Sequence, residues 1–296
     1  MASSVLRIVS QTFRRFGHDK CWTSSIVISY LVLLSLIPLL ALFAYLTAQV
    51  LGDTEIAFRS LNLFTDEFFA KLDPAFFERL RELSGSIKDL GLFGLLGSLV
   101  AGSVLFSQLI HTLNHIFRAK YHKSFFYNRF IEFTIMFAMG VVMFFSLALT
   151  TLWETFEKSI EESWIIFINP KAIAFVNNVF IQYLIPYLLT FLVFFLLYKL
   201  IPEVNIHTKS ALISASLAAL LYEIFKRFFA FYVAHISAIG IVLSKVLQGT
   251  LTSFIFFMLW VTSSLAILLW GAELAALLNE RRNIELSQKE GLKKPG

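Results

Sequence analysis

The sequence has a single cysteine, no long polar stretch, few charges and none of the short signatures of soluble enzymes. The lone Cys21 excludes an intramolecular disulfide and any CxxC zinc or redox site. It stands just before the first apolar run, where an idle thiol is the simpler reading than palmitoylation. Charged residues make up 15% of the 296, against about 25% in ordinary soluble domains. No polar segment is long enough to house a soluble domain. There is no GxxxxGK[ST] phosphate loop, no GxSxG elbow and no HExxH helix, which removes those mechanisms as classes. A nuclease needs clustered acids, a metal set or a histidine pair on the aqueous side, and the connections assigned below to the cytoplasm are short, basic and almost free of acids. The expectation is a protein that is not an enzyme and needs no cofactor. Tandem repeats and low-complexity tracts are absent as well.

What is present is apolar. Hydrophobic residues make up 57% of the chain, phenylalanine occurs 33 times and the mean hydropathy is +0.74. That is too much for one globular core, so the solvent for much of this surface is lipid. A spanning helix needs about 20 mostly apolar residues, and six stretches qualify: 25–51, 91–117, 130–153, 172–201, 211–236 and 251–278. The predicted fold is an all-α integral membrane protein, a bundle of six transmembrane helices. Pro38 and Pro186 are kink sites within the first and fourth. The first 24 residues are amphipathic and the run after them is too long for a signal peptide, so it is read as the first membrane helix.

Basic residues set the orientation. Fourteen fall on one side, in the N-terminal segment, the second and fourth connections and the tail, and eight on the other, most of them in an acid-rich first connection. The positive-inside rule then places both termini in the cytoplasm. It also accounts for the net charge of +5 and pI of about 9.2 without nucleic acid as a partner. The expected organisation is a cytoplasmic amphipathic segment over 1–24, a membrane domain over 25–280 and a basic cytoplasmic tail over 281–296. In the first, Val5, Val9, Phe13 and Phe16 share one face and arginines the other. Between the first and second spans, the extracytoplasmic connection 52–90 carries two amphipathic patterns. One is Leu61, Phe64, Phe68 and Leu72. The other follows the Asp73-Pro74 start signal with Phe76, Leu80, Leu83, Ile87 and Leu90.

Glu223, Lys226 and Arg227 form the sharpest constellation. Spacings of three and four put the acid on one helical face with both bases. Each charge at mid-bilayer costs about 2.5–3.5 kcal/mol on an insertion scale, so a helix with three must shelter them. Ala211, Ala215, Ala219, Glu223, Arg227 and Ala230 make a stripe along which a neighbouring helix can approach. A structural ion pair and a polar site in a membrane pathway both fit. Glu273 is placed near the wet cytoplasmic end of the last span. Glu132 opens the third span, where an acid suits the positive end of the helix dipole. His111 and His115 have a chelating spacing, but no acid or cysteine completes a set and Arg118 and Lys120 repel a cation, so no metal is expected. Gly94, Ser98 and Gly102 read as a packing face.

Ser35-Leu36-Ile37-Pro38-Leu39-Leu40 in the first span, and Leu113-Asn114 with Ile116-Phe117 at the end of the second, resemble the serine–proline motif and the Leu-Asn signature of the YihY/BrkB family of bacterial inner-membrane proteins. Pro202 and Val204 match the turn before the fifth helix. Glu223, Lys226, Phe229 and Tyr232 match its Glu-x-x-Lys-x-x-Phe-x-x-Tyr pattern, and Gly249, Trp260 and Gly271-Ala272-Glu273 match the last helix. Gln248 stands where tyrosine is usual and Ser214 where glycine is common. The resemblance covers nearly the whole chain and implies no established reaction. The family was once labelled ribonuclease BN, a label later regarded as a misassignment. Its members are called virulence factors, and transport of lipid or lipopolysaccharide precursors has been suggested for some relatives.

The leading expectation is handling or transport of an amphipathic or anionic molecule in the bacterial inner membrane. Glu223, Lys226, Arg227, Tyr232 and Glu273 would contact it, with Ser35, Pro38, Asn114 and Gly271 as structural motif positions. Membrane lipids, a lipid-like substrate, a second copy of the chain and an envelope protein are the expected partners. The alternative is a non-catalytic scaffold that docks through 52–90, and a ribonuclease is disfavoured.

Overall fold

A computed structural model of the protein describes residues 2–51, 87–119, 134, 183–233 and 250–291. These residues contain six helices and no strand. They are α1 (Ala2–His18), α2 (Cys21–Leu51), α3 (Ile87–Ile116), α4 (Ile185–Leu200), α5 (Thr208–Phe231) and α6 (Thr250–Gly291). The expected third span and the two amphipathic patterns up to Ser86 lie outside the described residues, as do parts of the fourth and fifth spans.

Two of these helices contain segments long and apolar enough to cross a membrane, Gly91–Ile116 and Phe254–Gln288. A third candidate is the pair Leu6–His18 and Cys21–Leu36, bent by 61°. The bend falls where α1 ends and Lys20 adopts φ 52°, the left-handed region. Two boundaries differ from expectation. Ile87 and Leu90 belong to the first turn of α3 rather than to the amphipathic connection. The last helix runs on to Gly291, since Arg281, Arg282 and Glu285 are good helix formers and no glycine or proline stops it earlier. At about 1.5 Å per residue its 42 residues reach about 63 Å, roughly twice the hydrocarbon thickness.

The chain divides into two compact units. One comprises Lys20–Leu109 and Lys226–Ala266. Here α2 and α3 pack antiparallel through small residues. A Cβ on Gly97 would lie 2.7 Å from Cβ of Pro38, and one on Gly91 would lie 2.4 Å from the ring of Tyr45. Small residues let backbones approach where lipid supplies no hydrophobic drive to associate. These contacts fall at Gly91 and Gly97, and Gly94 of the expected packing face is buried between them. Pro38 is buried at this crossing and α2 continues through it. Serines satisfy themselves on their own helix, as Ser35 Oγ does on the Val32 carbonyl at 2.7 Å. Ser29 reaches across to Thr262 at 2.8 Å, and both are buried. Leu92, Phe93, Leu95, Leu96 and Val100 are exposed on α3, an apolar surface that lipid would solvate.

The other unit comprises Met1–Asp19, Ile110–Phe225 and Ile267–Gly296. Within it α4 and α5 form an antiparallel hairpin. Phe194 meets the ring of Tyr222 edge-on at 6.0 Å, and Thr190 meets Glu223 further along. Pro186 stands in the first turn of α4, where its missing N–H costs no intrahelical bond. Ala211, Ala215, Ala218 and Ala219 are fully buried along α5.

Candidate functional site

On the hairpin, Glu223 is 7% exposed and accepts a hydrogen bond from the Thr190 hydroxyl at 3.3 Å. The small-residue stripe is buried only as far as Glu223. Lys226 is half-buried, whereas Arg227 and Ala230 are exposed. The stripe therefore shelters the acid and not the whole triplet, because α5 turns these later positions outward. Tyr232 follows α5 and is half-buried.

A second polar constellation gathers where α1, the end of α3, the α4–α5 turn and α6 meet. Three of its members come from sequence motifs and the rest are new. Gly271 provides room: a Cβ there would lie 2.3 Å from the Tyr198 hydroxyl and 2.6 Å from Cβ of Ala218. Asn114 is 1% exposed, and its side-chain oxygen accepts the Glu203 backbone N–H at 3.0 Å. Its neighbours close α3 with a Schellman turn. Ala119 N–H reaches the Asn114 carbonyl, Arg118 N–H reaches that of His115, and Arg118 takes φ 54°.

Glu273 is 1% exposed, not wet as its position in the span implied. The reason is that α6 continues well beyond it and α1 covers it. Arg15 of α1 binds Glu280 at 2.6 Å, Arg281 binds Gln11 at 2.5 Å and Phe13 packs on Trp270 at 5.7 Å. Arg15 thus turns toward α6 instead of joining a purely outward basic face, while Phe13 stays largely exposed. At the end of α1, Asp19 has a side chain only 7% exposed. It pairs with His18 Nδ1 at 2.6 Å. Arg118 also lies 3.8 Å from Glu280.

These contacts set the local electrostatics. Burial pushes the Asp19 carboxyl up, but the hydrogen bonds to His18 and Glu273 and the nearby Arg118 and His115 outweigh it. Its pKa falls below the ordinary aspartate value. The hydrogen bond to Glu280, against the cost of burial, raises the Arg15 guanidinium still further above its ordinary range.

The α4–α5 turn is clamped from two sides. The Asn279 side chain accepts the His207 N–H at 2.8 Å and donates to the Asn205 carbonyl at 3.3 Å. His207 Nε2 also lies 2.8 Å from the Asn283 side-chain oxygen. Arg15, Asp19, His207, Asn279 and Glu280 escaped the sequence reading because each is a single polar residue whose partner lies far away in the chain or carries no periodic signal. His111 and His115 are both exposed, and no group of three or more His, Cys, Asp or Glu suited to a metal occurs among the described residues.

The family model described as Virulence factor BrkB matches residues 12–295. The chain belongs to the BrkB family. The match includes Asp19, Asn114, Glu223 and Glu273. Relatives of this BrkB chain include a UPF0761 membrane protein of Chromohalobacter salexigens, 26% identical over 285 residues. The alignment covers 95% of this chain and 65% of that relative, so the chain spans less than two thirds of its length. Another, from Vibrio campbellii, is 25% identical over 270 residues, covering 91% of this chain and 81% of its own. A third, from Pseudoalteromonas translucida, is 26% identical over 291 residues, covering 96% and 91%. No solved structure matches this BrkB family chain. It is a helical membrane protein with two to three candidate spans among its described residues.

Proposed function

We propose that this protein is a six-span component of the bacterial inner membrane, with both termini cytoplasmic, that moves or handles an amphipathic or anionic molecule such as a lipid. The observation that carries this reading is Glu223. It is a carboxylate buried among alanines on an otherwise apolar hairpin, held by Thr190, with Lys226 and Arg227 following at three and four residues. Charges inside a membrane helix are costly, and they mark pathways more often than chance packing does. The two bases would meet the anionic part of the cargo, and Glu223 would hold their helix in register. No catalytic step and no cofactor belong to this reading.

The deciding test replaces the group as a set. A purely structural ion pair tolerates exchange for well-packed apolar residues, since such exchanges are often neutral or stabilising. Glu223→Leu, Lys226→Met and Arg227→Leu are combined, and folding and cellular function are measured together. Folded protein with lost function is the expected result. Folded protein with full function would leave Glu223 a structural role and end the transport reading for this helix.

A further inference from the structure

Helix α1 is held to the protein by polar side chains and turns its larger apolar ones outward. Thr12 is fully buried and donates to the Ile8 carbonyl of its own helix at 2.9 Å. Arg15 binds Glu280 at 2.6 Å, and Gln11 accepts from Arg281 at 2.5 Å. Leu6 and Phe13, by contrast, are 70% and 59% exposed. They stand seven residues apart and so share one side of the helix. Gly17 continues that side, and a Cβ there would meet nothing within 4 Å. A helix packed on a globular core does the reverse and buries its apolar stripe.

The charge of α1 is of one sign. It contains Arg7, Arg14, Arg15 and His18 and no acid. Arg15 is taken up by Glu280, whereas Arg7 and Arg14 are exposed. Each of these two follows one of the outward apolar residues and lies about 100° round the helix from it. From that flank a long side chain reaches headgroup phosphates while its apolar neighbour enters the acyl layer.

The level at which α1 crosses α6 fits the same plane. The candidate span on α6 begins at Phe254. At about 1.5 Å per residue, Trp270 lies about 24 Å along the helix from there and Glu280 about 39 Å. The hydrocarbon thickness of about 30 Å falls between them. Phe13 packs on Trp270 and Arg15 on Glu280. The contacts of α1 therefore straddle the point where α6 leaves the hydrocarbon.

We propose that α1 is an interfacial anchor that binds the anionic phospholipids of the surrounding bilayer. Leu6 and Phe13 enter the acyl boundary, and Arg7 and Arg14 bind headgroup phosphates. Glu280 and Arg281 fix the helix at that level. A second copy of the chain suits this face less well, because it brings the same arginines against each other. The anchor does not rest on the reading of Glu223, and it holds for either side of the membrane.

The test uses the full chain with Cys21→Ser in lipid nanodiscs. A bimane label is placed on Leu6→Cys or, separately, on Ser287→Cys, both exposed positions. The discs are phosphatidylcholine with a minor share of acyl-brominated lipid, either phosphatidylcholine or phosphatidylglycerol. The label at position 6 should be quenched by both, and more strongly by the brominated phosphatidylglycerol, since basic residues near the surface favour anionic lipid. The label at position 287, further along α6, should be quenched by neither. Combining Arg7→Gln with Arg14→Gln should remove the phosphatidylglycerol excess and leave the phosphatidylcholine quenching. The anchor is overturned if position 6 is quenched no more than position 287. It is overturned equally if the two brominated lipids act alike on the protein with both arginines, or if the excess survives their replacement. Spin-labelled phosphatidylglycerol gives an answer that needs no labelled protein to fold. The wild type should immobilise a larger fraction of that lipid than the double arginine variant, and equal fractions would also overturn the proposal.

Discussion

Tyr198 occupies the space that a side chain at Gly271 would fill. Its hydroxyl donates to the Leu268 carbonyl at 2.8 Å, one turn before the glycine, and the ring is fully buried. The glycine of the Gly-Ala-Glu motif is therefore the condition for α4 to meet α6.

Gly271→Ala should destabilise the protein, because the new methyl group meets the Tyr198 oxygen at 2.3 Å and Ala218 at 2.6 Å. Overpacking of a dense core typically costs about 1–3 kcal/mol. Thermal unfolding in detergent measures it. Adding Tyr198→Phe should recover part of the loss by removing the oxygen in the way. An unchanged melting temperature for Gly271→Ala would contradict the close approach.

Arg118 holds a left-handed conformation that costs a residue with a Cβ about 1–2 kcal/mol. Its side chain lies 3.8 Å from Glu280, and both are substantially exposed, at 58% and 41%. A pair of that kind contributes about 0–1 kcal/mol. Arg118→Gly should therefore be more stable than Arg118→Ala, which loses the ion pair and keeps the strain. The reverse order in paired unfolding measurements would mean that the side chain matters more than the turn.

Asp19 predicts an acid-side loss of stability. Its pKa is lower in the folded protein than in the unfolded chain. The stabilisation is thus complete above the unfolded value of about 3.9 and is lost as pH falls through the folded value. Asp19→Asn should flatten the decline in melting temperature between about pH 5 and about pH 3. An equally steep decline in the variant would assign the acid sensitivity to other carboxyls.

Topology can be checked in whole cells. In a Cys21→Ser background, a membrane-impermeant thiol reagent should modify a cysteine at position 84 and not one at position 289. The opposite pattern would invert the orientation drawn from the basic residues.

The apolar helices were legible in the sequence because a membrane span is a local property: twenty residues decide it. The small-residue contacts at Gly271 and the turn at Pro202 were legible as motifs, though their partners were not. The burial of Glu223 followed from the cost of an intramembrane charge, but that reasoning failed at Arg227, which is exposed. The polar constellation around Glu273 stayed hidden for a different reason. Arg15 and Glu280 are 265 residues apart, and nothing in either neighbourhood signals the other. A pairing of single charges across the whole chain leaves no period or spacing to read.

The asparagine clamp on the α4–α5 turn has a practical consequence. Its bonds run between neutral amides and backbone groups, so ionic strength scarcely touches them. The α1 seam depends instead on partly exposed ions, Arg15 with Glu280 and Arg281 on Gln11, and concentrated salt screens such contacts. An extraction buffer rich in salt would loosen the N-terminal helix and leave the hairpin intact. The ionic composition during purification therefore decides which form of this surface is isolated.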